Sequence, residues 1–301
     1  MLYVCAQPAT AYYAWQLDTM LCNFLKNGVP PADTHVVLSE PVSQEYDVLE
    51  AKHPRVRFFR YHDTRTDRTY IPSVRPHLLR KHFEAHAALY ANQAVFYHDC
   101  DIVFTRPVRF DALEADDTWY LSDTRSYIDH AYVASKGAGI YEGMCAIVGI
   151  DASVPKLNAA DSGGAQYVMK RVTAAFWEKV ERDCVALYAF MQGRQVGANP
   201  IQSWTADMWA VLYNAWLHGH RTEVTPALDF AWPNNGLAAW ERCAIYHNAG
   251  VLASQRDTYF YKGDYIATPP TDVRVGHAGS CSHMYAGEVN AAMREHGDVT
   301  I

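Results

Sequence analysis

The sequence predicts an α/β protein: a mostly parallel sheet flanked by helices, followed by a helical, loop-rich C-terminal part. Two observations carry this reading. The first hundred residues alternate short apolar runs with helically spaced segments in the order β-α-β-α-β-α-β, as a parallel sheet with crossover helices requires. The fourth apolar run ends abruptly in two carboxylates, Asp99 and Asp101, before apolar residues resume at Ile102. Sheets of this kind meet ligands at the carboxyl ends of their strands, so Gln7 and Asp99 are expected at a binding edge.

Taken in order, Leu2–Ala6 reads as a short buried strand. Ala11–Asn27 has helical apolar spacing through Trp15, Leu17, Met20, Leu21, Phe24 and Leu25, and stops at Gly28 with Pro30 and Pro31 beyond. Thr34–Leu38 and Val56–Tyr61 read as strands on either side of a weak helix at Val42–Ala51. A helix over Val74–Tyr90 follows Pro72, and the strand Ala94–His98 delivers the aspartates. Trp119–Ser122 and Met144–Ile150 read as further strands, with a glycine-rich loop at Ser135–Gly143 between them. Asp161-Ser-Gly-Gly-Ala-Gln166 is expected to open a long helical segment reaching about Gln192. A break at Gly193–Pro200 precedes an aromatic helix at Gln202–Leu217, and short strands and loops follow from Thr222.

Size and composition narrow the classes. A chain of 301 residues, 50% hydrophobic and 13% aromatic, is long enough for one domain with a large core. No apolar run reaches the roughly 18 residues of a membrane span. The start, Met-Leu-Tyr-Val-Cys-Ala-Gln, has no basic n-region and reads as a core strand. Seven scattered cysteines with no Cys-x-x-Cys fit reduced, buried thiols, so a cytoplasmic setting is expected. A net charge of −7 argues against a surface that grips nucleic acid throughout. The charge is uneven, however: Lys52–His82 holds nine Lys and Arg against Asp63 and Asp67, a local field for an anion.

The Asp-x-Asp pair supplies hard oxygen donors, which suit Mg²⁺ or Mn²⁺ bridging to a substrate diphosphate. Unpaired carboxylates between Phe96 and Phe104 would otherwise be expensive to bury. Arg75 is expected to clamp a phosphate bidentately. Gln7 and Tyr12 are expected near the nucleotide. At the expected helix start, Gly163 and Gly164 would let backbone N–H groups approach an anion or sugar hydroxyls, with Gln166 placed to hydrogen-bond such a ligand. Asp207, at the start of its expected aromatic helix, is a candidate catalytic carboxylate.

Four segments resemble a known family. Tyr13-Ala-Trp15-Gln16, Arg75-Pro76, Asp99-Cys-Asp101-Ile-Val-x-x-x-Pro107 and Pro200-Ile-Gln202-Ser-Trp204-Thr-Ala-Asp207-Met208-Trp209 together resemble nucleotide-sugar-dependent glycosyltransferases of the GT-A (Rossmann-like) type. Within that type they resemble the peptidyl hydroxyproline arabinosyltransferase and peptidyl serine galactosyltransferase group. Asp207 departs from the group's pattern, which has Glu there. The resemblance implies a single GT-A domain over 1–301, with a nucleotide-binding half (1–108) and a donor-sugar and acceptor half (109–301). It implies a UDP-sugar donor, a hydroxyl acceptor on a protein or glycan, and retention of anomeric configuration, with Asp207 stabilising positive charge at the sugar or holding the acceptor hydroxyl. A third metal ligand is implied as well. His247-Asn-Ala-Gly250 resembles the late His-x-x-Gly of glycogenin-like relatives, and Lys262 resembles their phosphate-binding lysine, while His277 in Gly276-His-Ala-Gly279 is the rival histidine. Related folds also glycosylate hydroxymethylated pyrimidines in DNA, so that acceptor stays open. A nucleotidyltransferase using Mg²⁺, and a non-catalytic nucleotide- or sugar-binding protein, are the readings outside the family.

Overall fold

A computed structural model of the chain describes residues 1–194 and 200–295. In chain order the first half runs β1 (Leu2–Pro8), α1 (Ala11–Lys26), β2 (Thr34–Glu40), α2 (Glu45–Lys52), β3 (Arg57–His62), α3 (Val74–Ala85), α4 (Ala87–Tyr90), β4 (Val95–Tyr97), β5 (Ile102–Phe104), α5 (Asp111–Glu114), β6 (Trp119–Asp123), α6 (Arg125–Ile128) and α7 (His130–Ala134). It continues through α8 (Ile140–Val148), α9 (Ser153–Leu157), β7 (Gly163–Met169), α10 (Ala174–Gln192), α11 (Ala206–Leu217), β8 (Thr222–Val224), β9 (Phe230–Ala231), α12 (Leu237–Arg242), β10 (Ile245–His247) and α13 (Cys281–Glu295).

The expected α/β architecture is present. Seven strands form a sheet in the order β3-β2-β1-β4-β7-β6-β8, and a smaller sheet runs β5-β10-β9. β1 pairs parallel with β2, and β6 parallel with β8, while β7 runs antiparallel to both β4 and β6. Among the described residues no helix is long and apolar enough to cross a membrane.

The chain divides into two compact units. One comprises Tyr3–Arg60, His98–Phe110 and Ala227–Ile301. Its core gathers Trp15, Val103, Tyr246, Phe260, Tyr285 and Val289. Phe24 of α1 stacks on Phe104 of β5 with centroids 4.5 Å apart, and Trp15 meets Phe260 edge-on at 5.7 Å. Lys52 and His53, at the end of α2, both donate to the buried Asp18 of α1, at 3.0 and 2.8 Å, so the buried carboxylate is compensated where the two helices meet. The other unit comprises Met1–Leu2, Tyr61–Tyr97 and Asp111–Pro226. There Trp177 of α10 packs on Phe83 of α3 and Tyr97 of β4, at 6.0 and 5.2 Å.

Five expectations about local structure need correction. The helix expected to open at Asp161 is instead β7; α10 begins only at Ala174, capped by the Thr173 hydroxyl, which accepts from the Phe176 N–H at 3.2 Å. Nearly every residue of β7 is buried, on both faces of the strand, so its apolar run loses the period-two signal and imitates a buried helix. Conversely, the strand expected at Met144–Ile150 is α8: Ile140, Tyr141, Met144, Cys145 and Val148 share one buried stripe, and Gly149 ends the helix at φ 79°. The loop before it is correspondingly shorter, ending at Gly139. The helix over Val74–Tyr90 breaks at His86 into α3 and α4. Finally, the segment from Thr222 onward, expected as short strands and loops, also holds the helices α12 and α13; Tyr285, Val289 and Ala292 form the buried face of α13. Residues 195–199 of the expected break at Gly193–Pro200 lie outside the described residues.

Candidate functional site

The pairing of β10 with β5 builds the first site. Their antiparallel register sets His247 opposite Ile102, and the Asn248 N–H donates to the Asp101 carbonyl at 2.9 Å. His247 is thereby delivered to the turn that carries both aspartates. Its Nε2 lies 3.2 Å from Asp101 Oδ1 and 3.5 Å from Asp99 Oδ2. Lys262 reaches the other oxygen of Asp101, with Nζ donating to Oδ2. The ligand atoms of Asp99, Asp101 and His247 all lie within 4.8 Å of one another. His277, the rival, is exposed in a loop with its ring 6.1 Å from that of Tyr259.

Burial sharpens the electrostatics. The Asp101 side chain is 5% exposed and that of His247 is 8% exposed. Burial alone would raise the Asp101 carboxyl, yet the Lys262 ammonium and the His247 ring outweigh it and hold Asp101 well below the ordinary carboxylate range. Burial likewise works against charge on His247, but Asp101 and Asp99 push its pKa up to about 9. Lys262 is raised by the same exchange, with burial opposed chiefly by Asp101. His98, one residue before Asp99, goes the other way: burial lowers it to about 4. Two carboxylates thus face two cationic side chains.

The donor set fits a divalent cation. Two carboxylates with one imidazole suit Mn²⁺ or Mg²⁺, Mn²⁺ tolerating the nitrogen better. Two of the residues expected to bind the nucleotide lie in the same unit. The Tyr12 phenol is raised first by burial, and the charges of Lys262 and Asp101 both act on it. Gln7 is buried at the C-terminal end of β1, and its amide nitrogen finds no oxygen or nitrogen acceptor among the described residues. Such an orphaned donor is costly unless something accepts from it.

A second cluster lies in the other unit. Asp207 sits in the first turn of α11. Its Oδ2 accepts from Arg75 at 2.7 Å, and its Oδ1 lies 2.7 Å from the Tyr70 hydroxyl, which in turn accepts from the Asp207 N–H at 3.1 Å. Tyr70 stacks on Tyr188 with centroids 4.7 Å apart. Arg75, expected to meet a phosphate, therefore spends at least one guanidinium nitrogen on Asp207. Tyr70 was not anticipated from the sequence; its neighbour Pro72 and the basic run around it gave no sign of a buried phenol.

Gln166 is buried in β7 and accepts from Ser122 Oγ at 2.7 Å through Oε1. The helix start proposed for Gly163 and Gly164 is absent, and these glycines have a packing reason. A Cβ on Gly163 would lie 2.5 Å from the Ser122 carbonyl, and one on Gly164 would lie 2.5 Å from Met208 Cε and 2.8 Å from the Tyr167 hydroxyl. The register between β6 and β7 shifts here: Leu121 faces Tyr167, but Ser122 faces Gly164. Ala165 and Gln166 are left in a bulge, where Ala165 adopts φ 70°, a left-handed conformation that costs a non-glycine residue on the order of 1 kcal/mol.

No protein-family model matches the chain, and neither does any curated protein. Solved structures give loose likenesses. The WbbM bifunctional glycosyltransferase in its apo form is 15% identical with a TM-score of 0.49, over 83% of this chain and 46% of that one. The chain thus spans about half the length of the WbbM structure. An active-site mutant of LgtC is 14% identical with a TM-score of 0.47, over 83% and 88% of the two chains. The galactosyltransferase LgtC in complex with donor and acceptor sugar analogs is 11% identical with a TM-score of 0.43, over 97% and 96%.

Proposed function

We propose that the chain is a metal-dependent glycosyltransferase of the GT-A type, moving a sugar from a nucleotide diphosphate sugar, UDP-linked in our reading, to a hydroxyl acceptor. The observation that carries the proposal is the convergence of Asp99, Asp101 and His247 on one point, with Lys262 beside them. Asp99, Asp101 and His247 would hold the cation; when bound, it supplies Lewis-acid neutralisation of the charge that grows on the departing diphosphate. Lys262 offers a further positive charge to that leaving group. In the reaction the bond from the sugar C1 to the phosphate oxygen breaks and a bond from C1 to the acceptor oxygen forms. The acceptor proton leaves with the diphosphate, so no strong protein base is needed; retention of configuration is what the family resemblance implies. Asp207, kept oriented by Arg75 and Tyr70, is suited to stabilise positive charge at the sugar or to hold the acceptor hydroxyl. Gln166, fixed by Ser122, is assigned to the donor sugar.

A protein or glycan acceptor is preferred over a modified DNA base, and the basic segment supplies the reason. Lys52 is paired with Asp18, Arg60 with Glu50, Arg65 and Arg68 with Asp63, Arg75 with Asp207 and Arg80 with Glu181, while Lys81 donates to the His62 carbonyl. Seven of the nine cations of the segment are thus engaged within the protein, which leaves less charge for a phosphate-gripping face. The hydroxyproline and serine acceptors of the resembling group remain the first to try. A thermal-shift screen of UDP-, GDP- and dTDP-sugars with Mn²⁺ tests the reading, since a ligand that binds only the native form raises the melting temperature. Stabilisation by one nucleotide class that vanishes in Asp99→Ala and Asp101→Ala is expected. Stabilisation that is indifferent to both substitutions and to EDTA would sink it.

A further inference from the structure

We infer that Lys262 is an internal counter-ion: it holds Asp101 until a divalent cation arrives, and its displacement couples cation binding to diphosphate binding. This rests on the reading that Asp99, Asp101 and His247 take that cation.

Asp101 is almost wholly withdrawn from water, and a buried carboxylate without compensation is expensive. Both of its oxygens are engaged, Oδ1 by His247 and Oδ2 by Lys262. The two partners differ in kind. An imidazole nitrogen becomes a metal ligand once it carries no proton. An ammonium has three donors and no lone pair, so it can never enter the coordination sphere. A divalent ion on Asp101 therefore meets a like charge at close range, and the ammonium is the group that must move.

Lys262 is built to move without its backbone. Its side chain is 31% exposed, against 5% for Asp101. The chain on either side of it is pinned: the Trp15 indole donates to the Tyr265 carbonyl at 3.1 Å, Phe260 stacks on Tyr265 at 5.4 Å, and the Phe260 N–H donates to Ser282 Oγ at 2.7 Å. A four-carbon stem on a fixed root keeps a released ammonium close to the cation. A diphosphate bridging to that cation offers the ammonium new oxygens. Cation and diphosphate then favour each other through Lys262, in addition to their direct contact, and this coupling is reciprocal.

The test is Mn²⁺ binding by calorimetry and by loss of the free Mn²⁺ EPR signal, with and without UDP, on the whole chain. Wild type, Lys262→Met, Lys262→Arg and Asp101→Asn are compared, with melting curves to check folding. Without UDP, Lys262→Met should bind Mn²⁺ on the order of tenfold more tightly than wild type, at the low end of usual coupling energies. The tightening that UDP confers on Mn²⁺ should shrink in the same variant, whereas Lys262→Arg keeps both values near wild type. If Asp101→Asn abolishes Mn²⁺ binding but Lys262→Met leaves it unchanged or weaker, the counter-ion role is overturned while the metal assignment stands. If wild type binds no Mn²⁺, or Asp101→Asn has no effect on binding, the metal assignment falls and the inference falls with it. Should Lys262→Met melt far below wild type, Lys262→Gln makes the same comparison.

Discussion

The proton held by His247 gives a quantitative prediction for the protein without metal. Its pKa is about 9 in the fold, against an ordinary value near 6.5 when unfolded. A group raised on folding contributes stability that is fully present below the unfolded value and lost as pH climbs through the folded one. At 1.36 kcal/mol per pH unit the whole contribution is about 3 kcal/mol, of which about 2 kcal/mol disappears between pH 6.5 and 8.5. Asp101 is depressed, so its contribution is lost only at acid pH, and Lys262 is raised from a value already above the window. His98, His218 and His220 are lowered, so their penalty is confined to pH below about 6.5. Urea unfolding at constant ionic strength in EDTA, at half-unit pH steps, measures the slope. Wild type should lose about 2 kcal/mol across the window, and His247→Asn should be nearly flat. A flat wild type, or equal slopes in both proteins, would refute the charge arrangement described around Asp101.

Further outcomes follow from single contacts. Trp15→Ala removes a buried indole from between α1 and the Phe260 segment, and should cost about 3–5 kcal/mol in unfolding free energy. Gly163→Ala forces a methyl against the Ser122 carbonyl and should cost about 1–3 kcal/mol, seen as a lowered melting temperature with Mn²⁺ binding intact. Arg75→Met leaves Asp207 without its cation; transfer should fall on the order of a hundredfold in kcat, while Mn²⁺ affinity stays within about twofold of wild type. Equal loss of both quantities in Arg75→Met would mean general unfolding rather than a local role.

Much of this was legible in the residues, for reasons that differ by element. β1, β2 and β4 are short apolar runs bounded by Pro, Gly or charge, so local pattern and tertiary position agree. The aspartates stand out because carboxylates interrupt an apolar run at its end, and His247 was reachable through its His-x-x-Gly context. β7 and α8 were exchanged in kind because a continuous apolar run says that a segment is buried, but not with what period. The Arg75–Asp207 pair joins residues 132 apart in the chain, and Tyr70, just before Arg75, reaches the same carboxylate across 137 residues. No spacing rule reaches across such distances; only the packing of α3, α10 and α11 brings these groups together. The glycines at 163 and 164 illustrate the opposite error. Their small size suggests access for a ligand in the sequence, but in the fold it serves the close approach of β6 and Met208.

The account stands or falls on two carboxylates and one imidazole presenting a divalent ion to a diphosphate. Pulsed EPR of Mn²⁺ on the protein with UDP addresses this directly, because it reads nitrogen and phosphorus nuclei bound near the ion. The prediction is a ¹⁴N coupling that disappears in His247→Asn and a ³¹P coupling from the nucleotide, with both lost in Asp101→Asn. Bound Mn²⁺ that shows neither coupling, or whose spectrum ignores those substitutions, contradicts the assignment.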